Sequence, residues 1–123
     1  MSNNTDVARK AMYELFNNRD LAAVDRYFAE DYIQHNPGVP AGLDGLRSIV
    51  PNLAVKFEYE MIRTFEDDDH VIAMSRIKGF YPDEDAAVVD IFRFENGRIA
   101  EHWDVIQPYT PDNQTASGNP MLS

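Results

Sequence analysis

The 123-residue chain has no cysteine, which removes disulfides, thiolate metal sites and cysteine nucleophiles together. It is poor in positive charge: 11 Lys and Arg stand against 21 Asp and Glu, a formal net charge of −10. A field of that sign repels phosphate backbones and anionic lipid, so neither nucleic acid nor a membrane surface is an expected partner. No apolar run approaches the ~20 residues of a membrane span. The polar start, residues 1–6, lacks the pattern of a secretory leader. Glycine-rich phosphate loops are missing as well, since Gly38 and Gly42 stand outside any GxGxxG or GKS/T context. Ser48 falls in a helical pattern and Ser75 in a strand pattern, so neither occupies a nucleophile elbow. The three histidines show no helical metal spacing, and neither metal nor cofactor is expected. What remains is a cytoplasmic single domain, long enough to bury one core.

What is present begins with helical periodicity. Ala8, Ala11, Met12, Leu15 and Phe16 recur at one-face helical spacing, with Asn4 or Thr5 placed to cap the start. Residues 17–19 break the pattern. Asp20 then caps a short second helix with an apolar stripe of Leu21, Val24, Tyr27 and Phe28. Residues 31–37 read as a brief extended stretch, and the Pro- and Gly-rich residues 38–42 as a loop. Leu43, Leu46, Val50, Leu53 and Phe57 restore the helical period, interrupted by Pro51.

From Phe57 the period falls toward two. Strands are predicted over 57–65, where Ile62 disturbs the alternation, and over 70–80, 86–94 and 98–107. Turns at 67–69, 82–85 and 95–97 join them. Helices gathered before an antiparallel meander predict an α+β fold of two layers, the helices covering one face of the sheet. The last two strands are apolar on both faces, which favours pairing of the other face with a second subunit. Residues 1–108 read as one domain. The polar tail, 109–123, reads as a flexible or partner-wrapping extension.

The last hairpin holds the residues that fit chemistry rather than packing. Asp90 interrupts an apolar strand, and Asp104 lies in a second one beside His102 and Trp103. A two-residue Asn96-Gly97 turn pairs Phe94 with Ile99 and puts Asp90 opposite Trp103, on a different face from Asp104. A three-residue loop pairs Phe94 with Arg98, puts Asp90 opposite His102 and sets Asp104 on the same face. In that register one face carries Val88, Asp90, Phe92, Ala100, His102, Asp104 and Ile106, two carboxylates in an apolar wall suited to acid–base work. The plainer alternative is a solvated Asp pair, or one tied to Arg93 or Arg98. His35, in a loop stiffened by Pro37 and Pro40, is a second candidate for projecting into a cavity. Tyr13, Phe16, Tyr27 and Phe28 sit at core spacing, although one or two can reach a cavity mouth.

Taken together, Tyr32-Ile33-Gln34-His35-Asn36-Pro37, Asp90-Ile91-Phe92-Arg93-Phe94 and the run from Gly97 through His102-Trp103-Asp104 to Pro108 resemble the SnoaL-like branch of the NTF2-like superfamily. The resemblance implies a cone-shaped α+β barrel: three N-terminal helices on a strongly curved antiparallel sheet of four to six strands, around a deep pocket. It also implies a homodimer through the sheet face. Members of known activity include polyketide cyclases, which close a ring by intramolecular aldol condensation without metal or cofactor. The related ketosteroid isomerases move a proton beside a carbonyl. By this resemblance the three-residue hairpin loop is preferred, and Asp104 corresponds to the cyclases' acid–base carboxylate. Asp90 stands where the cyclases carry a pocket histidine, and His35 faces the pocket, while Trp103 packs on the opposite sheet face. The expected catalytic set is Asp104, Asp90 and His35. The expected substrate contacts are Tyr13, Phe16, Tyr32, Phe92, His102 and Ile106. The expected ligand is a small, largely apolar carbonyl compound; a ligand-binding or assembly module of the same fold is the alternative.

Overall fold

The computed structural model describes residues 3–123; of the polar start read above, residues 1 and 2 lie outside the described part. Helix α1 (Asn4–Met12) buries Ala8, Ala11 and Met12, then widens into a π turn (Tyr13–Asn17) that buries Leu15 and Phe16. The whole predicted stripe is therefore core. The expected cap is not formed: the helix starts one residue earlier, with Asn3 at the N-cap and no side-chain cap bond. Instead the Thr5 backbone N–H and hydroxyl both donate to Glu66.

Arg19 takes a left-handed φ of 57° and ends the helical run. Asp20 Oδ1 then accepts from the Ala22 N–H at 3.0 Å, opening α2 (Ala22–Tyr27). Phe28 turns extended rather than continuing the helix, and begins β1 (Phe28–Gln34). The stretch read as briefly extended is thus a full strand. Helix α3 (Gly42–Ile49) runs into a 3-10 turn (Val50–Asn52) at Pro51, which cannot donate to a preceding carbonyl. Gly45 faces the loop before it so closely that a Cβ there would stand 1.8 Å from the Pro40 carbonyl oxygen.

Four long strands follow: β2 (Glu58–Asp67), β3 (His70–Lys78), β4 (Ala86–Glu95) and β5 (Arg98–Pro108). The sheet order is β1-β5-β4-β3-β2. The sheet departs from the expected all-antiparallel pattern in one respect. β1 lies parallel to β5, with Gln34 beside His102. The order puts the chain's first strand at one edge and β2 at the other. Asn17 covers that second edge as a further strand would, donating to the Tyr59 carbonyl and accepting the Tyr59 N–H at 2.8 and 2.7 Å.

Two bulges set which side chains face inward. The first falls between Met61 and Arg63, so Ile62, the residue that blurred the alternation, is the unpaired one. The second corrects the expected hairpin. The connection is the two-residue Asn96-Gly97 turn, with positive φ at both residues, pairing Phe94 with Ile99 and Glu95 with Arg98. One extra residue, Ala100, then shifts the ladder so that Arg93 pairs with Glu101, Phe92 with His102 and Asp90 with Asp104. Both carboxylates do share a face, but Asp90 faces Asp104 and not His102. Ala100 is buried as the bulge residue, while Ile99 joins the core.

The inner face of the curved sheet and the three helices enclose the core, which runs from Ala8 through Phe94 and Ile99. The tail is packed at its start: Tyr109 is buried, its ring under the Arg76 guanidinium at 4.1 Å and its hydroxyl bonded to Asp112 at 2.6 Å. No helix among the described residues is long and apolar enough to cross a membrane.

Candidate functional site

A cavity of about 110 Å³ lies between the helices and the inner sheet face. Met12, Phe16, Leu46, Ile49, Val88, Phe92 and Ile106 make its walls apolar. Its polar lining comes from Gln34 and Asn36 at the end of β1, Tyr59 of β2, Asp90 of β4, and His102 and Asp104 of β5, with Tyr32 beside them. Five of the six expected contact residues line this cavity; Tyr13 does not. Its hydroxyl is spent on the Met61 N–H at 3.0 Å, so it tethers the π turn to β2.

His35 also departs from expectation. It follows Gln34 by one residue and therefore points to the opposite sheet face. There its Nε2 meets Glu101 Oε2 at 2.6 Å, and its ring stacks on Trp103 at a centroid distance of 4.9 Å. This contact and Arg93 hold the Glu101 carboxyl below its usual range. Trp103 is on the outer face, as expected.

Inside, a chain of hydrogen bonds crosses all five strands. Ser75 Oγ donates to the Tyr59 hydroxyl at 2.9 Å, which donates to Asp90 Oδ2 at 2.6 Å. Asp90 Oδ1 meets His102 Nε2 at 2.8 Å, and His102 Nδ1 meets Gln34 Oε1 at 2.8 Å. Gln34 Oε1 also accepts the backbone N–H of Asn36 at 3.0 Å. A backbone N–H can only donate, so this contact fixes which end of the Gln34 amide faces His102. His102 Nδ1 must then carry a hydrogen. One further proton lies between Nε2 and Asp90: the pair is an imidazolium on a carboxylate, or a neutral ring on a carboxylic acid. Either way it has no net charge, which is what an apolar wall tolerates. No buried side-chain N or O atom among the described residues lacks a partner.

Asp104 is separate from this pair, with Oδ2 4.0 Å from His102 Nε2. Asn36 Nδ2 stands 2.9 and 2.8 Å from its two oxygens. Desolvation pushes the Asp104 carboxyl above its ordinary range and the charge of Asp90 adds to this, against the Asn36 bond and the charge of His102. Asn36 is itself held by an Asx turn, its Oδ1 accepting the Gly38 N–H at 2.7 Å. Gln34, Asn36 and Tyr59 are the polar residues that sequence reasoning passed over. The Asn36-Pro37-Gly38 turn signal could have singled out the second of them. Asp90, His102 and Asp104 also offer one potential ligand atom each within 4.8 Å of one another. Strand pairing creates that set, which the sequence spacing did not reveal. A cation there would have to displace the proton shared by Asp90 and His102.

The same domain is recognisable in sequence. The profile of the SnoaL-like domain matches residues 10–102. The chain belongs to the SnoaL-like family. No curated protein sequence matches it. Among solved structures, TsrD from Streptomyces laurentii superposes with a TM-score of 0.72 at 19 % identity, over 85 % of this chain and 88 % of that one. A proposed polyketide cyclase from Bacillus cereus gives 0.71 at 21 % identity, over 81 % and 72 %. An NTF2-like protein of unknown function from Cytophaga hutchinsonii gives 0.71 at 18 %, over 85 % and 89 %. At these identities the likeness establishes the NTF2-like fold of this SnoaL-like domain.

Because the folded Asp104 carboxyl binds its proton more tightly than an unfolded one, folding loses stability as pH rises from the ordinary aspartate value (about 3.9) through the raised one. Asp104→Asn removes that loss. Its melting temperature relative to wild type therefore rises between about pH 4 and pH 7; a difference that shrinks over this interval contradicts the burial-driven shift.

Proposed function

We propose that this SnoaL-like protein is a cofactor-independent acid–base enzyme acting on a small, largely apolar carbonyl compound. The reaction class is aldol-type ring closure or a proton shift beside the carbonyl. The observation that carries the reading is Asp104: a largely desolvated carboxylate, separate from the neutral Asp90–His102 pair, at the polar corner of an apolar cavity. A raised carboxyl is a stronger base once ionised, and is better matched to a carbon acid than an ordinary aspartate. Asp90 is fully engaged by Tyr59 and His102, so its part is to hold the neutral pair in place. The family membership and the cyclase-like neighbour agree with this reading, although fold alone does not fix an activity.

A cavity filled by side chains short of the two carboxylates would favour a non-catalytic module. Met74 of β3 pairs with Val89 on the outer face and does not fill the cavity. The cavity reaches both carboxylates.

We also propose that a second copy of the chain covers the outer sheet face. Ile33, Phe65, Val89 and Val105 all expose apolar surface there, Val105 at 74 %, around the stacked rings of His35 and Trp103. Apolar side chains concentrated on one face of a sheet mark an interaction surface. In sedimentation, wild type runs as a dimer and Val105→Glu as a folded monomer. Identical monomeric boundaries for both contradict the pairing.

Exchange of solvent deuterium into carbons beside carbonyls, followed by mass spectrometry over a panel of ketones and β-dicarbonyls, tests the chemistry. Wild type accelerates exchange, increasingly so as pH rises through the Asp104 carboxyl, and Asp104→Asn loses about 10²- to 10⁴-fold. Exchange unchanged by Asp104→Asn contradicts the proposal. Binding without Asp104-dependent exchange supports the binding module.

A further inference from the structure

Removing a proton beside a carbonyl leaves negative charge on the carbonyl oxygen, and that charge needs a hydrogen-bond donor not already committed elsewhere. His35 points to the outer face and binds Glu101. Both oxygens of Asp90 are engaged, one by Tyr59 and one by His102. Neither residue can serve.

The hydrogens around Gln34 identify one that can. The Asn36 N–H fixes Gln34 Oε1 on the side of Asn36 and His102. Gln34 Nε2 therefore faces the Tyr32 hydroxyl, 2.8 Å away. An amide nitrogen has no lone pair to offer, so it donates and the Tyr32 oxygen accepts. The hydroxyl hydrogen of Tyr32 must then point away from Gln34, and none of the described residues supplies an acceptor for it. Tyr32 is only 5 % exposed and lines the same cavity as Asp104. A buried hydroxyl hydrogen left without an acceptor is uncommon, and a ligand oxygen in the cavity would satisfy it. Burial first, and then the charges of Asp90 and Asp104, hold the Tyr32 phenol well above its usual range, so it stays protonated. The bond from Gln34 polarises the hydroxyl and strengthens its donation.

We propose that Tyr32 is the catalytic donor to the carbonyl oxygen of the substrate, with Gln34 as the residue that positions it. The proposal rests on the acid–base reading of the cavity. Asp104 takes the proton from the carbon beside the carbonyl. The C–H electron pair becomes the enolate double bond, and the carbonyl π pair moves onto oxygen, where the Tyr32 O–H holds it without giving up its proton. Return of the proton from Asp104 to another carbon completes a shift. Alternatively the enolate carbon attacks a second carbonyl of the same molecule, forming a carbon–carbon bond, and the new alkoxide takes the proton from Asp104. Base and donor lie at one corner and the remaining walls are apolar. The substrate class is therefore an uncharged ketone or β-dicarbonyl with a hydrocarbon body.

A phenolate tests the donor without turnover. In Asp104→Asn the amide stands in for the protonated base, and 4-nitrophenol, coloured only when ionised, stands in for the enolate. This variant binds the phenolate in preference to the phenol and lowers the apparent pKa of the bound probe. Adding Tyr32→Phe, which removes one oxygen atom, weakens phenolate binding about tenfold or more and abolishes the shift; Gln34→Leu weakens both effects partially. In the Asp104→Asn variant itself, proton NMR shows the Tyr32 hydroxyl hydrogen moving downfield on binding, a readout that needs no second substitution. Equal binding with and without the hydroxyl, binding of neutral phenol alone, or no binding overturns the assignment. Tyr32-dependent binding together with no Asp104-dependent exchange in wild type leaves the donor standing and removes the acid–base reading. Asp104-dependent exchange that is indifferent to Tyr32→Phe removes the donor alone.

Discussion

One unpaired residue, Ala100, decides what kind of cavity this protein has. Side chains on a strand alternate with a period of two, so a one-residue slip between β4 and β5 moves every following side chain to the other face. The tight Asn96-Gly97 turn by itself would set Asp90 against Trp103 and send Asp104 outward. The bulge at Ala100 restores the pairing of Asp90 with Asp104 and turns His102 inward with them. Parallel pairing of β1 with β5 then sets Gln34 beside His102. The polar corner is thus assembled from strand register, its residues contributed by the end of β1, β2, β4 and β5.

That corner is divided by charge. Asp90 and His102 are the buried acid and base among the described residues, and they coexist with an apolar wall because they share a proton and their other polar atoms have partners. Tyr59 and Ser75 on one side and Gln34 on the other supply those partners. Such a network is rigid because removing any member leaves a buried polar atom unpaired. Asp104 has a looser setting, tied to Asn36 but facing the cavity, and desolvation raises its carboxyl. A locked neutral pair beside an unlocked carboxylate is an arrangement in which one group can change its protonation while its surroundings keep their shape.

Much of this was legible in the chain. The spacing of Ala8, Ala11, Met12, Leu15 and Phe16 located the first helix and its buried face, and Pro51 marked an interruption of the third. That helix in fact ends there, so Leu53 and Phe57 keep the period without being helical. Asp90 inside an apolar strand and the motif around Asp104 pointed to residues that line the cavity. The hairpin was read with the right face and the wrong turn. A bulge leaves no signature in local sequence, so a three-residue loop and a tight turn plus Ala100 bring the same carboxylates together. His35 was misplaced because its loop position left its orientation open, and the alternation of β1 into that loop points it outward. Phe28 kept the helical period yet begins a strand, since pairing beside Ile99 and the strand preference of an aromatic residue outweigh that spacing. Gln34, Asn36 and Tyr59 stayed hidden for a different reason. Their roles depend on hydrogen bonds across 31 to 68 residues of sequence, and no local pattern encodes such partners.

The direction of the hydrogen bonds through Gln34 fixes both the His102 ring and the free hydrogen of Tyr32. Nitrogen NMR of protein labelled with ¹⁵N in the imidazole rings reads that direction. The structure predicts that His102 Nδ1 carries a hydrogen, seen as the coupling of a directly bonded proton. A His102 ring with a bare Nδ1 and its hydrogen on Nε2 alone would contradict it.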